Sequence, residues 1–285
     1  MPQLIVAAAT PLRDNGARLD EGAIAPYVAF LESHGADGVF ACGTTGEGVL
    51  LSVEERRRVV ACFREAVSGM LIVHAGAQNT LDTVALAAHA AEIGADAVAV
   101  IPPPYFPLDD VALTAHMVAA ARACAPLPFY CYAFAARSGY RLPVSVIERI
   151  GQEVDNLAGL KVSESPFERV EPYLAAGLPV FVGSEPLIPA ALAAGAVGSV
   201  SGMAAAYPDV VRGVLDAPDA DGEARLRSLR GALEASGQFI ASVKHVLGCR
   251  GLAVGRDVRR PLRPLTDAET SALDATLAQL GLPTA

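Results

Sequence analysis

Gly94-Ala95-Asp96-Ala97-Val98-Ala99-Val100-Ile101 is a turn that runs straight into an unbroken apolar stretch. The glycine follows an amphipathic segment, Leu81–Ile93, which Asn79-Thr80 opens with a capping side chain. A helix that ends on glycine can close its last turn in the left-handed conformation other residues avoid. The apolar stretch that follows is too short for a helix and does not alternate with polar residues. It reads as a strand covered on both faces, the pattern of a parallel sheet. The same device recurs as Gly35-Ala36-Asp37 and, with valine in the last place, as Gly195-Ala196-Val197.

Outward from this stretch, apolar runs and helical segments alternate along the chain. The runs are Leu4–Ala9, Gly38–Cys42, Leu71–Ala75, Ala97–Ile101, Pro128–Tyr132, Leu157–Val162, Val180–Gly183 and Ala196–Val200. Between and after them the periodicity predicts helices over 21–33, 53–67, 81–93, 110–123, 143–150, 167–175, 187–194 and 204–215. Eight strand-then-helix units imply parallel pairing through right-handed crossovers. The expected fold is α/β, a closed (β/α)8 TIM barrel, with an open doubly wound sheet as the alternative topology. The pattern changes after Leu215. Residues 1–217 read as the catalytic barrel and 218–285 as a C-terminal helical appendage, with helical patterns over 223–248 and 267–280.

Composition narrows the function. A net charge of -9 argues against nucleic acid or an anionic membrane as the main partner. The five cysteines are scattered, with no Cys-x-x-Cys, and read as reduced thiols of a cytoplasmic protein. No apolar stretch is long enough to span a membrane, and the N-terminus lacks a signal-peptide pattern. No metal-ligand spacing stands out, and no Gly-x-Ser-x-Gly elbow marks a hydrolase. The histidines fall mostly in helical segments; His74 sits inside an apolar run and reads as a core residue.

Among 22 basic residues only Lys161 and Lys244 are lysines. Lys161 closes the run Leu157-Ala158-Gly159-Leu160. A buried ammonium must be paired, lose its proton, or reach water. A lysine with a lowered pKa is a nucleophilic amine, able to form a Schiff base with a carbonyl. In a barrel of this kind the reactive groups stand at the C-terminal ends of the strands. Those ends carry Gly43-Thr44-Thr45-Gly46-Glu47-Gly48, which suits a carboxylate better than a polyphosphate, and Pro102-Pro103-Pro104-Tyr105. They also carry Tyr130-Cys131-Tyr132 with Arg137 on the following loop, Ser184-Glu185, and Val200-Ser201-Gly202. Tyr132 beside a lysine can pass protons, and Arg137 can clamp a carboxylate. Taken singly, each has a plain structural reading: a capped turn, an aromatic plug, a core tyrosine, a surface arginine.

Taken together, these motifs resemble the dihydrodipicolinate synthase / N-acetylneuraminate lyase family of pyruvate-dependent class I aldolases. Gly43-Thr44-Thr45-Gly46-Glu47, Tyr132 with Arg137-Ser138-Gly139, Leu157-Ala158-Gly159-Leu160-Lys161, Gly195-Ala196-Val197-Gly198 and Arg260-Pro261-Leu262-Arg263-Pro264-Leu265 occur in the family's order. The resemblance implies that Lys161 forms the Schiff base with pyruvate and Tyr132 shuttles protons. It implies that Thr44 and Thr45 hold the carboxylate and link the proton relay, in which Thr45 passes protons with Tyr132. It makes Tyr105 a relay residue reaching a neighbouring subunit, Arg137 a ligand for the second substrate, and Val200 part of the pyruvate pocket. It implies neither metal nor organic cofactor, and a homotetramer or dimer with a small keto acid and an aldehyde as its only partners.

Ala133 and Ala135 depart from the family pattern, which often has asparagine and proline there, as do Pro104, Val162-Ser163-Glu164-Ser165 and Ser184-Glu185. All of these lie on the second-substrate side. The expected activity is therefore a carbon–carbon or carbon–oxygen lyase resembling 4-hydroxy-tetrahydrodipicolinate synthase, taking an aldehyde such as aspartate semialdehyde. An aldolase or dehydratase of 2-keto-3-deoxy sugar acids is the alternative within the class. A non-catalytic keto-acid-binding barrel is the alternative outside it.

Overall fold

The apolar runs close into a parallel barrel in the computed structural model, which describes residues 1–282. Strand β1 (Gln3–Ala7) is followed by a small hairpin of β2 (Leu12–Arg13) and β3 (Arg18–Leu19). The remaining barrel strands are β4 (Gly38–Ala41), β5 (Met70–His74), β6 (Ala97–Val100), β7 (Phe129–Ala133), β8 (Leu157–Val162), β9 (Val180–Val182) and β10 (Gly198–Ser201). Around the barrel β1 neighbours β4 and β10, so the sheet has no edge. Closure settles the choice between barrel and open sheet.

The repeated turn has a specific job. Gly35, Gly94 and Gly195 all stand at positive φ, +93°, +73° and +97°, which a side chain would strain. In the two copies that end in aspartate, the carboxylate takes the amide of the second residue of the adjacent strand. Asp37 accepts from the Leu4 N–H and Asp96 from the Leu71 N–H, each at 2.7 Å. The turn thus ends a helix and seals the start of a strand at once.

The barrel helices are α1 (Ile24–Ser33), α2 (Val53–Ala66), α3 (Thr80–Glu92), α4 (Asp110–Cys124), a short α5 (Ala135–Ser138), α6 (Val144–Glu153), α7 (Glu171–Leu174), α8 (Ile188–Ala193) and α9 (Pro208–Asp216). Ser52 opens α2 with a reciprocal capping box to Glu55, and Asn79 and Asp109 cap α3 and α4. Helix α5 occupies a loop the periodicity left irregular. The segment 167–175 is not one helix but a 3-10 turn followed by the four residues of α7. Helix α9 starts at Pro208 rather than Ala204, because a proline fits the first helical position and not the interior.

Helices α10 (Ala220–Glu234), α11 (Phe239–Cys249) and α12 (Asp267–Gln279) follow. The 223–248 pattern is two helices, broken at the turn containing Gly237, whose φ is +70°. Residues 283–285 of the expected appendage lie outside the described residues. No described helix is long and apolar enough to cross a membrane.

Two apolar clusters share the strands by parity. Outward side chains pack against the helices, whereas Ile5, Phe40, Ile72, Ala99, Tyr132, Phe181 and Val200 fill the barrel. On β8 the outward residues are Leu160 and Val162, so Gly159 and Lys161 turn inward. A Cβ on Gly159 would sit 2.6 Å from the Pro179 carbonyl oxygen and 2.7 Å from the Tyr130 ring. Glycine there leaves the room that the aromatic plug occupies beneath Lys161.

Candidate active site

Period-two geometry puts Lys161 in register with Tyr132 on β7 and Phe181 on β9. The lysine is only 4% exposed. Its ammonium nitrogen lies 4.0 Å from the centre of the Phe40 ring and 4.1 Å from that of Tyr132. No carboxylate forms an ion pair with it among the described residues. Burial lowers its pKa, while Tyr132 and the more distant Glu185 carboxylate hold it up. The amine therefore loses its proton more readily than a surface lysine.

Lys161 opens on a cavity of about 810 Å³ at the C-terminal end of the barrel. Thr44, Thr45, Tyr132, Arg137 and Val200 also line it, so the cavity gathers nearly every residue singled out from the sequence. The Thr44 hydroxyl is 3.5 Å from the Tyr132 hydroxyl. Of the two threonines, Thr44 is thus the one within reach of Tyr132. Thr45 is buried, with its hydroxyl 3.0 Å from where a Cβ on Gly202 would stand. Glycine at 202 gives that hydroxyl its space.

Tyr105 is not part of this cluster. It is 83% exposed, at φ +84°, with Phe106 edge-on at 4.8 Å, and it does not line the cavity. Its ring contact is with Phe106, not with any of the other residues assigned to the site.

Arg137 reaches the cavity from α5, its guanidinium 5.8 Å from the Phe134 ring centre. The other arginines of the wall are neutralised: Arg227 by Glu223, Arg230 by Glu185 and Glu234, and Arg263 by Glu269. Arg137 has no such partner among the described residues, which leaves it the cation available to an anionic ligand.

The structure brings to the cavity residues to which the sequence reading gave no site role. His74 lines the cavity while fully buried, with Tyr132 edge-on at 5.9 Å. Burial, then Arg56 and Lys161, drive its pKa well down, so it is neutral, and its Nδ1 lies 3.1 Å from the Cys42 carbonyl oxygen. That leaves Nδ1 as the donor and Nε2 as an unpartnered acceptor. The clue was its place at the last position of a strand.

Glu185 is buried, accepting from Ser201 Oγ at 2.9 Å, Met203 N at 3.0 Å and Arg230 at 2.7 Å. Glu47, and Gly237 to Ala241 at the entry and first residues of α11, also border the cavity. A His245–Cys249–Asp274 group has donor atoms close enough for a metal ion, but it lies between α11 and α12 and does not line the cavity. His245 and Cys249 are four apart on α11, a spacing the sequence reading did not register.

A family model described as the dihydrodipicolinate synthetase family matches residues 1–280. An uncharacterized DapA-like lyase of Halobacterium salinarum is 38% identical over 277 residues, covering 93% of this chain and 89% of that one. A 4-hydroxy-tetrahydrodipicolinate synthase of Methanosarcina mazei is 30% identical over 292 residues, covering 99% and 98%. The solved N-acetylneuraminate lyase of Proteus mirabilis has a TM-score of 0.87 at 28% identity, over 99% of each chain. With that match over nearly its whole length, the chain belongs to the dihydrodipicolinate synthetase family of lyases.

Proposed function

We propose that this protein is a pyruvate-dependent lyase acting through a Schiff base on Lys161. The observation that carries the reading is a buried lysine with no carboxylate partner, side by side with Tyr132 at the mouth of the barrel. The free amine of Lys161 attacks the ketone carbon of pyruvate. Tyr132 protonates the departing hydroxyl, which leaves as water and gives the protonated imine. Loss of a methyl proton to the Tyr132 oxygen yields the enamine, whose carbon bonds to an aldehyde carbon while a proton passes to the new alkoxide. Water then releases the product and restores the amine. The reverse sequence cleaves a carbon–carbon bond.

Thr44 supports the relay through its contact with Tyr132. Thr44, Thr45 and the backbone near Val200 hold the keto-acid carboxylate. Arg137, the unpaired cation of the wall, binds an acidic aldehyde of the aspartate-semialdehyde type. Tyr105 completes the relay of a neighbouring subunit, which accounts for an exposed tyrosine on a proline-stiffened loop and makes the protein a homo-oligomer. The reaction calls on no metal or organic cofactor. Five free cysteines fit a reducing, cytoplasmic setting.

A cavity of about 810 Å³ is large for pyruvate with a four-carbon aldehyde. That observation supports the second reading, a lyase for longer 2-keto-3-deoxy sugar acids.

Borohydride reduction in the presence of pyruvate tests the proposal. One pyruvyl adduct mapped to Lys161, absent from Lys161→Ala, is the expected result. A folded protein that forms no adduct removes the nucleophile and leaves a keto-acid-binding barrel. An aldehyde screen on the adduct-forming enzyme then chooses between the two substrate classes.

A further inference from the structure

The chemistry proposed above uses one of the chain's two lysines. The other, Lys244 on α11, is 0% exposed. Its ammonium donates to Oε1 of Glu47 at 2.5 Å and to the Asp257 carbonyl at 2.7 Å. The second carboxylate oxygen of Glu47 accepts from the Arg259 backbone amide at 2.5 Å. Both oxygens of one buried carboxylate are thus held by the C-terminal part of the chain.

Glu47 stands at φ 58°, ψ 22°, a left-handed conformation that a residue with a side chain adopts at a cost. It closes the turn that carries both threonines. The Glu47 amide donates to the Thr44 carbonyl, and the Gly48 amide to the Gly43 carbonyl, each at 3.1 Å. Release of the side chain would free the turn to relax toward ordinary dihedrals and carry Thr44 away from Tyr132.

A buried ion pair is a poor device for stability alone, since a well-packed apolar pair does as well. What it supplies is a fixed geometry. Here two donors and three acceptors from three segments meet at the cavity wall.

We infer that Glu47 and Lys244 are positioning residues for the keto-acid half of the site. Their ion pair locks the Thr44–Thr45 turn in its left-handed form and makes α11 part of the catalytic unit. The inference rests on the Schiff-base reading of Lys161.

The test follows borohydride trapping on the full chain as a function of pyruvate concentration. Adduct on Lys161 in the unaltered protein establishes the underlying reading, and its absence sinks both. Two variants then address the lock: Glu47→Gln, which keeps the side-chain shape, and the double change Glu47→Leu with Lys244→Met, which removes both charges together. Each is expected to reach full labelling at saturating pyruvate, with the half-saturating concentration raised about tenfold or more. The double variant should unfold close to the unaltered protein's temperature. Half-saturation within about twofold of the unaltered value, in either folded variant, makes the pair merely structural and overturns the inference.

Should neither variant fold, hydrogen exchange of the unaltered protein decides. Amides 44–48 are expected to share the protection of amides 243–247. Exchange in the turn about a hundredfold faster than in the helix overturns the lock.

Discussion

The nucleophilic role proposed for Lys161 rests on where its strand leaves it. Burial disfavours the ammonium form, so the folded-state pKa lies below the ordinary 10.5. The sign of the linkage follows. Above the ordinary pKa the amine is neutral folded or unfolded. As pH falls, the unfolded chain takes up the proton first, and the folded state loses stability until its own pKa is passed. Replacement by Met removes that penalty. Lys161→Met should therefore raise the melting temperature, and by more at pH 7 than at pH 10.5, while abolishing the pyruvate adduct. An equal shift at both pH values would mean the amine is not perturbed. The role proposed for Arg137 belongs to the same scale but concerns the other substrate. Arg137→Ala should leave pyruvate trapping unchanged and raise KM for an acidic aldehyde about tenfold or more, the loss of roughly 1.5–3 kcal/mol expected for a charged hydrogen bond. Unchanged KM would assign the second carboxylate elsewhere.

Strand β8 shows how an element delivers a side chain. Its alternation sends Leu160 and Val162 out to the helices and Gly159 and Lys161 in. The Tyr130 ring fills the space over Gly159. Gly159→Ala should destabilise the barrel by about 1–3 kcal/mol through overpacking, measured as a lower denaturant midpoint. A neutral effect would show that the plug can move. The β8 stretch could be read from sequence, because a buried strand with a single lysine is hard to mistake. Most helices were legible from their period, and their starts were sharpest where a capping signal was local. Ser52 with Glu55 and Asn79 with Asp82 announce their caps. The segment 167–175 misled because a run of suitable residues does not show that tertiary packing will stop the helix after one turn.

At the scale of the whole molecule, the C-terminal helices are tied to the barrel mouth by charge. Glu185 is buried, and Arg230 of α10 is its only cationic partner among the described residues. Arg230→Met would leave that carboxylate buried and unpaired, at a cost of about 3–5 kcal/mol. Chemical denaturation should read this as a lower midpoint that recovers when Glu185→Gln is added. No recovery would mean the arginine acts through packing. Tyr105 belongs to this scale as well, since it does not line the cavity of its own chain. Tyr105→Phe should lower turnover in a protein that sediments as an oligomer. The same loss in a strictly monomeric protein would rule out a relay across subunits.

By itself the sequence determined the strand-and-helix alternation, the count of eight units that a closed barrel needs, and the lysine to watch; closure itself was settled by the strand pairing. The sequence readings follow from period, caps and burial, each written within a dozen neighbouring residues. The sequence also marked Thr44, Thr45, Tyr132, Arg137 and Val200, because strand ends in a parallel barrel converge on one mouth. Only the tertiary structure decided that Thr44 rather than Thr45 faces Tyr132, that His74 stands in the cavity wall, and that Lys244 grips Glu47. Those facts depend on side chains far apart in the chain, 197 residues in the last case. No local pattern records such a meeting, because packing and the pairing of buried charge are settled only when the barrel and its C-terminal helices close on each other.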